Sequence, residues 1–518
     1  MAWSLRRGFT KIHAPRFLPE DCDVARLSPV PSSMTTPASL LWLRNDLRLA
    51  DNLALVAAAQ RGGPVIPVFI LSPPEEGDWP PGRASSWWLH QSLAAVDAHL
   101  RELGSRLVVR PGPTLPALRA LAKETGANAV FWNRRYEPAV IARDAQVMAE
   151  LREEGFETAS FNAALLHEPW TIQNQTKKPF QVFTPFWRNC LAQPEPAEPV
   201  PGPKNLLAAA KWPKSVALDE LRLEPTINWT DGMRATWQPG EAGAMAGLNR
   251  FLARAFDDYS EHRNRPDVAG TSRLSPHLHF GEISPRQIWH GLRRMAAKRG
   301  LPVEQWRGSQ YLAEVGWREF AHHLLFHFPH TPTEPLRADF KKFRWREDAA
   351  FLQAWQKGRT GYPIVDAGMR ELWTTGWMHN RVRMIVASFL VKDLLLSWTQ
   401  GARWFWDTLV DADLAQNTLG WQWTAGCGAD AAPYFRVFNP ISQGEKFDPQ
   451  GDYVRRWCPE LAKLPGEWLH KPWQASSETL ARAGVELGRD YPEPIVSHAI
   501  AREVALEAFA HIKSTAAR

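Results

Sequence analysis

From residue 39 onward, short apolar runs alternate with longer amphipathic stretches. The runs are SLLWL, VIPVFIL, RLVVRP and AVFWN, and the stretches between them include DNLALVAAAQ and SSWWLHQSLAAVDAHLREL. Short apolar runs suit the strands of a buried parallel sheet, and amphipathic stretches suit the helices that cover its faces. The alternation predicts a Rossmann-like, doubly wound α/β domain over residues 38–168.

The turn after the first apolar run reads LRNDLRLADN and contains no GxGxxG motif. Dinucleotide binding in the usual mode is therefore unsupported. Its Arg and Asp residues are better explained as buried groups that cap neighbouring backbone.

Helical periodicity dominates after residue 242, in AMAGLNRFLARAFDDY, ISPRQIWHGLRRMAAKRG and SQYLAEVGWREFAHHLLFHF. It predicts an all-helical domain over residues 239–514. Residues 169–238 include PEPAEPVPGPK, a composition of polyproline character, and are expected to be an interdomain linker without a packed core. Residues 1–37 are interpreted as a disordered extension, or as an artefact of a start site upstream of Met34.

The block 373–448 sets polar residues among tryptophans. A helix over residues 377–398 would place Asn380 and Met384 one turn apart on one face, with Arg383 beside them. A buried charge persists only when it is paired, and Asp411 or Asp413 could supply the partner. The block is therefore expected to be a polar cofactor bed inside a helical core.

Composition narrows the function classes. Tryptophan is unusually frequent, with 26 residues against 7 tyrosines, and rings beyond those a core needs could stack on planar ligands or carry electrons. The net charge of +6 suits a polyanionic partner, although a solvated basic surface explains it equally well. Four widely spaced cysteines form no CxxC pair, which argues against a disulfide scaffold and a zinc site. No apolar stretch is long enough for a bilayer, so we expect a soluble, cytoplasmic protein.

Two further segments carry candidate chemistry. In residues 270–287, Thr271, Ser272 and Ser275 surround Arg273, and hydroxyls with backbone amides at a helix start could bind phosphate, with simple N-capping as the alternative.

Glu314, Trp317 and Arg318 share one helix face, where the Glu and the ring could hold a flat heterocycle; the alternative is an intrahelical pair of Glu314 with Arg318.

Metal binding and hydrolysis find no support in the sequence. Five histidines cluster between residues 262 and 323 without HExxH or comparable spacing, so they are expected to be solvated or capping. A GxSxG nucleophile motif is also absent from the sequence.

The motifs GTSRLSP, WREF, GYPIVDAGMR, TGWMHNRVRM, ASFLVKDLL, DADLAQN, GWQW, DAAPYFRVFNP and QGEKFD occur in this order. Over essentially the whole chain after Met34, they resemble the photolyase and cryptochrome family. The closest likeness is to bacterial-type, class I-like photolyases that repair cyclobutane pyrimidine dimers. The resemblance implies an N-terminal antenna domain and a helical domain that holds FAD in a bent form.

Carried over motif by motif, the resemblance implies a bed for FAD made of Tyr259, Thr271, Ser272, Arg273, Leu274, Ser275, Arg318, Trp377, Arg383, Asp411, Asp413 and Asn417. Asn417 would face flavin N5, where a neutral amide can bond the reduced ring without adding charge. Plant cryptochromes have Asp there, whereas repair enzymes have Asn.

Trp421, Trp398 and Trp345 match the family's electron-transfer chain from the flavin to the surface. Each taken alone would be interpreted as a core ring.

The lesion pocket of dimer-repairing members is matched by Glu314, Trp317, Asn380, Met384 and Trp423. Its rings and carboxylate would receive the flipped pyrimidines. The (6-4) branch has histidines at the positions of Asn380 and Met384, and neither is present.

DNA phosphates would be held by basic and polar residues around the pocket, namely Arg381, Arg436, Gln443, Lys446, Lys341, Lys342, Arg344 and Arg346. A solvated face explains the last five equally well.

The antenna is where the chain departs from the family pattern. Folate-binding members have Asn and Glu where this chain has Ala139 and Val140. Methenyltetrahydrofolate, deazaflavin, FMN or no second chromophore therefore all stay open. The stretch WWLHQSL is expected to be helix core.

The resemblance therefore implies a deoxyribodipyrimidine photo-lyase that acts as a monomer on UV-damaged DNA. Light excites FADH−, one electron passes to the flipped dimer, the cyclobutane ring opens and the electron returns. The alternative is a cryptochrome-type photoreceptor without repair activity. The matched pocket residues, and a chain that ends soon after the family core, favour repair.

Overall fold

A computed structural model describes residues 36–431 and 435–516. Five parallel strands form its sheet, in the spatial order β3-β2-β1-β4-β5. The strands are β1 Ser39–Leu43, β2 Val65–Leu71, β3 Val108–Pro111, β4 Ala129–Asn133 and β5 Glu157–Phe161. This order is that of a doubly wound fold. The predicted α/β architecture is confirmed, and the extension 1–37 lies, except for its last two residues, outside the described residues.

Four helices alternate with the strands: α1 Leu53–Gln60, α2 Arg83–Glu102, α3 Thr114–Thr125 and α4 Pro138–Glu153. Successive side chains of a strand point to opposite faces. Leu41 of β1 accordingly packs in one core with residues of α1 and α2, while Leu40 packs in another with residues of α3 and α4. Both faces of the sheet are covered, which explains why β1, β2 and β4 read as almost entirely apolar runs, whereas the edge strand β5, ETASF, is polar and partly exposed.

Beyond β5, the described residues form helices joined by loops, with isolated bridges but no further strand. The helices are α5 Phe183–Ala192, α6 Asp231–Thr236, α7 Glu241–Arg254, α8 Tyr259–His262, α9 Ser275–His279, α10 Pro285–Arg299, α11 Val303–Arg307, α12 Gln310–His327, α13 Ala349–Gln356, α14 Pro363–Thr375, α15 Asn380–Ser388, α16 Trp398–Thr408, α17 Leu414–Ala425, α18 Pro440–Phe447, α19 Asp452–Trp457, α20 Gly466–Leu469, α21 Ser477–Ala483 and α22 His498–Ala516. None of these helices is both long and apolar enough to cross a bilayer.

The turn after β1 is buried, as predicted. Asn52 caps α1 by accepting a hydrogen bond from the backbone N–H of Leu55. Arg48, 1% exposed, donates to the carbonyl oxygens of Asp51, Ala163 and Gly281. The last of these belongs to the helical part, so this turn joins the two parts of the protein.

Two expectations are corrected. The segment 169–238 does contribute to a packed core, because Phe186, Trp187 and Cys190 of α5 are buried in a cluster with residues of α12. The helix predicted over residues 377–398 is also wrong. It begins only at Asn380, where His379 accepts a hydrogen bond from the N–H of Arg381, and after a π-helical turn, Phe389–Asp393, the chain breaks before α16.

Candidate functional site

The loop before α9 has the backbone shape of an anion site. Arg273 adopts a left-handed conformation, with φ of 55°, and Leu274 a right-handed one, with φ of −87°. Successive residues of opposite hand turn their N–H groups toward the same side. The alternative of simple N-capping is wrong, because Leu274 occupies the N-cap position of α9 and makes no side-chain cap.

Trp377 joins this loop to α15. Its Nε1–H donates to the hydroxyl of Ser275 at 3.2 Å. The guanidinium of Arg273 lies 4.7 Å from the ring centre of Trp377 and 4.4 Å from that of Trp237, a cation–π arrangement on both sides. The guanidinium of Arg383 lies 5.9 Å from the same Trp377 ring. The predicted residues of the loop and of α15 are therefore neighbours in space.

Arg383 has the partner that the sequence predicted. Its Nη2 lies 2.8 and 3.0 Å from the two carboxylate oxygens of Asp411, and its Nε donates to the carbonyl of Met378 at 2.8 Å. The Asp411 side chain is 2% exposed and that of Arg383 is 22% exposed. The pair gives the site a fixed and nearly buried polar wall.

Asp413, the other candidate partner, does not reach Arg383. It caps α17 by accepting from the N–H of Gln416, and its carboxylate lies 3.5 Å from His322 and 3.8 Å from His279. Burial acts to raise the pKa of Asp413, but the two histidines and Arg318 outweigh it and hold that pKa well below its ordinary value.

The histidines are therefore not mainly solvated or capping groups, as the sequence suggested. His277, His322 and His323 are buried, and His277 pairs with the buried carboxylate of Glu282. Their close sequence spacing reflects packing against carboxylates and backbone carbonyls, which the spacing alone did not reveal.

Asn417 and Arg318 face the same region from α17 and α12. Nδ2 of Asn417 donates to the carbonyl of Ala402 at 3.0 Å. Nη1 of Arg318 donates to the carbonyl of Ala164 at 2.5 Å, and the Arg318 carbonyl accepts from Gln416. Both side chains are held by backbone on elements that pack against each other.

Tyr259 is buried beside this region, with its ring edge-on to those of Phe251 and Tyr311. Burial, with the nearby charge of Glu314, raises the pKa of its hydroxyl, which therefore stays protonated.

The three candidate electron carriers run from the interior to the surface. Trp421 on α17 and Trp398 on α16 are 2% and 3% exposed, and Trp345 is half-buried against the same core cluster. Gly401, one turn after Trp398, lies directly under the Trp421 ring. The N–H of Arg346 donates to the carbonyl of Leu395 at 2.8 Å, which holds the segment of Trp345 against the approach to α16. Electron transfer along these rings stays a prediction.

Glu314 does not pair with Arg318 of its own helix, contrary to the sequence-based alternative. Its carboxylate lies 2.7 Å from Nη2 of Arg263 and accepts from Gln310 at 2.9 Å. Trp317, one turn further along α12, is stacked on Phe183, with ring centres 3.8 Å apart and planes at 9°. One face of this candidate lesion-binding ring is thus already covered by a residue of α5.

On α15, Asn380 is exposed and Met384 is half-buried one turn later. Arg381, between them, donates two hydrogen bonds to the side-chain oxygen of Asn264, at 2.6 and 3.2 Å, and lies over the ring of Phe447. Burial and the positive charges of Arg263 and Arg436 lower the pKa of Arg381.

Trp423 and Arg436 line one cavity together with Lys392, Phe435 and Phe438. Gln443 lies half-buried on α18, and Lys446 lies on the same helix over the ring of Phe447. The basic residues Lys341, Lys342, Arg344 and Arg346 are all exposed.

At the expected antenna position, Val140 is fully buried in the first turn of α4, and Ala139 lies against Gly77. Trp87 and Trp88 are 1% and 0% exposed, which confirms the prediction that WWLHQSL is helix core.

Four functional neighbours were not predicted from the sequence. Arg263 contacts Glu314 and Asn264 contacts Arg381, whereas Phe183 contacts Trp317 and Trp237 contacts Arg273. Phe183 and Trp237 come from the connector, and Arg263 and Asn264 from the turn after α8, all far along the chain from their partners. No helical or strand spacing relates such pairs, so periodicity carries no signal for them.

Comparisons with known proteins agree with this arrangement. The family model described as the FAD binding domain of DNA photolyase matches residues 311–511, and that of DNA photolyase matches residues 39–204. The deoxyribodipyrimidine photo-lyase of Agrobacterium fabrum is 50% identical over 487 residues, which are 93% of this chain and 100% of the relative. Cryptochrome-1 of Arabidopsis thaliana is 43% identical over 88% of this chain and 68% of its own length.

A crystal structure of a bacterial class III photolyase from Agrobacterium tumefaciens superposes with a TM-score of 0.89 at 49% identity, over 94% of this chain and 100% of that one. The predicted likeness to class I is therefore not confirmed. These matches extend over nearly the whole chain, and they agree with the doubly wound sheet and with the helical part that pairs Arg383 with Asp411. The chain therefore belongs to the photolyase and cryptochrome family.

Proposed function

We propose that this protein uses light to repair cyclobutane pyrimidine dimers in DNA, with reduced FAD as its cofactor. One observation carries the proposal. On the short helix α15, Arg383 pairs with the buried Asp411, and beside Arg383 lie Asn380, which is exposed, and Met384, which is half-buried. Residues expected to hold the cofactor and residues expected to meet the lesion thus lie within one helical turn, which suits direct electron transfer between them.

The residues fit FAD chemically. The turned N–H groups around Arg273, with the hydroxyls of Thr271, Ser272 and Ser275, suit a pyrophosphate. The fixed pair of Arg383 and Asp411 suits the polar edge of a flat ring system. When bound, reduced FAD supplies an electron on excitation by blue or near-UV light and receives it back, so the reaction has no net redox change.

The protein's own work in repair is binding and positioning. Arg381 and Arg436 would neutralise phosphates beside the lesion, and Gln443 on α18 would add a polar contact. Glu314, held by Arg263, would accept hydrogen bonds from a flipped base, and Trp317 and Trp423 would contact its rings. Met384 would pack against the lesion without proton chemistry.

Trp421, Trp398 and Trp345 would reduce oxidised FAD from the surface. Their order of burial suits stepwise transfer, because the innermost ring is fully buried and the outermost reaches solvent. This route serves activation of the enzyme and not the repair cycle itself.

A second candidate function is that of a cryptochrome-type photoreceptor, which is favoured by 43% identity to the Arabidopsis cryptochrome. Two features favour repair. Asn417 stands where plant cryptochromes have Asp, and the residues of the lesion pocket match those of dimer-repairing members. One experiment separates the two. Flavin-loaded, reduced protein is mixed with dimer-containing oligothymidylate and illuminated, with a dark sample as control. Repair predicts loss of dimers only in the light, and flavin binding without dimer reversal would select the photoreceptor.

The second chromophore is open among methenyltetrahydrofolate, deazaflavin, FMN and none. We propose that folate does not bind in the mode of members with Asn and Glu, because buried Val140 and packed Ala139 offer no polar group there. Absorption spectra before and after heat release of bound chromophores identify the occupant. We further propose that the protein acts on DNA as a monomer in the cytoplasm, and size-exclusion chromatography of the flavin-loaded protein tests the oligomeric state.

A further inference from the structure

We propose that Phe183, on the connector helix α5, is a positioning residue for lesion recognition, because it holds the indole of Trp317 in a fixed plane. The inference rests on the proposed function and adds a residue outside the predicted pocket. The two rings lie 3.8 Å apart at 9°, whereas Phe320, the other ring recorded beside Trp317, meets it edge-on at 73°. Phe183 therefore covers one face of the indole.

Phe183 is itself fixed from two directions. Its backbone N–H donates to the carboxylate of Asp430 at 3.3 Å, and the N–H of Asp430 donates to the carbonyl of Gln181 at 3.1 Å. The Phe183 ring is also nearly parallel to that of Trp187, at 11° and 6.5 Å. The rings of Trp187, Phe183 and Trp317 are thus nearly parallel to one another and form a row, called here the ring ladder.

The ring ladder is anchored to the backbone of α12 beside Trp317. A Cβ atom at Gly316 would lie 2.6 Å from two ring atoms of Trp187, so the close approach of α5 requires a glycine there. The backbone and the side-chain plane of the candidate lesion-binding residue are therefore both set by the connector helix.

A fixed ring lowers the entropy lost when a base stacks on it, because the side chain is already ordered. With one face covered by Phe183, Trp317 offers its other face to a flipped pyrimidine. Phe183 should therefore affect binding of dimer-containing DNA, which uses the flipped base, and leave binding of undamaged DNA unchanged. A stacked aromatic pair contributes enough free energy to change affinity about threefold to tenfold.

The test compares Phe183→Leu, Phe183→Tyr and a control, Phe180→Leu. Phe180 lies on the same connector, is half-buried, and makes its recorded ring contacts with Phe186 and His323. Dissociation constants of the flavin-loaded proteins are measured in the dark for dimer-containing and undamaged oligonucleotides.

We expect Phe183→Leu to weaken dimer binding about threefold to tenfold, with flavin absorbance and affinity for undamaged DNA unchanged. Phe183→Tyr, which keeps an aromatic ring, should bind dimers as tightly as the unmodified protein does. The control Phe180→Leu should also keep the affinity of the unmodified protein. In a Trp317→Ala background, Phe183→Leu should have no further effect, because its influence passes through that ring.

An equal loss for both DNAs, an equal loss in Phe180→Leu, or an additive loss with Trp317→Ala would each show a merely structural role. Tighter dimer binding by Phe183→Leu would mean that Phe183 occupies the place of the base, and would also overturn the proposal. The unmodified protein is measured first. If it does not prefer dimers, the proposed function fails, whereas a preference that Phe183→Leu leaves intact refutes only the role of Phe183.

Discussion

Replacement of Asp411 by Leu tests the energetic logic of the site. It removes both carboxylate contacts of Arg383, at 2.8 and 3.0 Å, and leaves the guanidinium with one hydrogen bond, to the carbonyl of Met378. Breaking a buried ion pair on one side costs about 3–5 kcal/mol. Because Arg383 is 22% exposed, solvent screens the orphaned charge, and we expect a loss of about 2–3 kcal/mol.

The assay is a double-mutant cycle of Asp411→Leu, Arg383→Met and the combined variant, with thermal midpoints of the flavin-free protein as readout. Each single variant should melt several degrees lower. The double variant should recover most of the loss, because apolar replacement of a whole buried pair is often neutral. All three should retain FAD poorly if the pair lies along the cofactor. If the melting temperature of the double variant were no higher than that of the less stable single variant, the reasoning would be refuted.

Three further outcomes are expected. Trp345→Phe should slow the photoreduction of oxidised FAD severalfold, which is measured by flavin absorbance under blue light. Repair by the pre-reduced enzyme should be unchanged. Gly401→Ala should destabilise the folded protein by about 1–3 kcal/mol, because the added Cβ would lie 2.1 Å from the Trp421 ring. The control is Gly420→Ala, whose Cβ would have no described atom within 4 Å, and equal melting temperatures of the two variants would contradict the predicted clash. Burial and the charges of Arg381, Arg383 and Arg263 lower the pKa of His379 to about 3, so below about pH 6.5 the unfolded chain binds a proton at this residue that the folded chain does not bind. His379 should therefore contribute a loss of about 2 kcal/mol of stability from pH 7 to pH 5, and His379→Asn, which keeps a capping residue, should lose less thermal stability over that range than the unmodified protein.

Elements set by local pattern were predictable from the sequence. The apolar runs predicted four of the five strands, because a strand buried on both faces reads as a continuous apolar segment, whereas the polar edge strand β5 leaves no such run. The pairing of Arg383 followed from burial, because few groups can balance a charge inside a core, and Asp411 was one of two nearby acids. The start of α15 was not predictable. His379 looks like one more buried residue, and only its hydrogen bond to Arg381 shows that the helix begins after it.

Contacts between distant segments escaped the sequence for a different reason. The pairing of Glu314 with Arg263, rather than with Arg318 one turn away, depends on how α8 packs on α12. Helical spacing offers the nearer arginine, whereas in the fold Arg318 is engaged by the carbonyl of Ala164. Local geometry allows both pairs, and the tertiary packing decides between them.

The buried turn after β1 limits how freely the two parts of this protein can be exchanged with those of relatives. Asp51, with no exposed side-chain surface, binds Arg286 at 2.7 Å and Ser284 at 2.5 Å, and Trp88 of α2 donates to Glu282 at 2.9 Å. A chimaera that imports a foreign α/β part without these partners would leave charged groups unpaired at the seam. A transplanted α/β part is therefore expected to need residues 282–286 of its own donor.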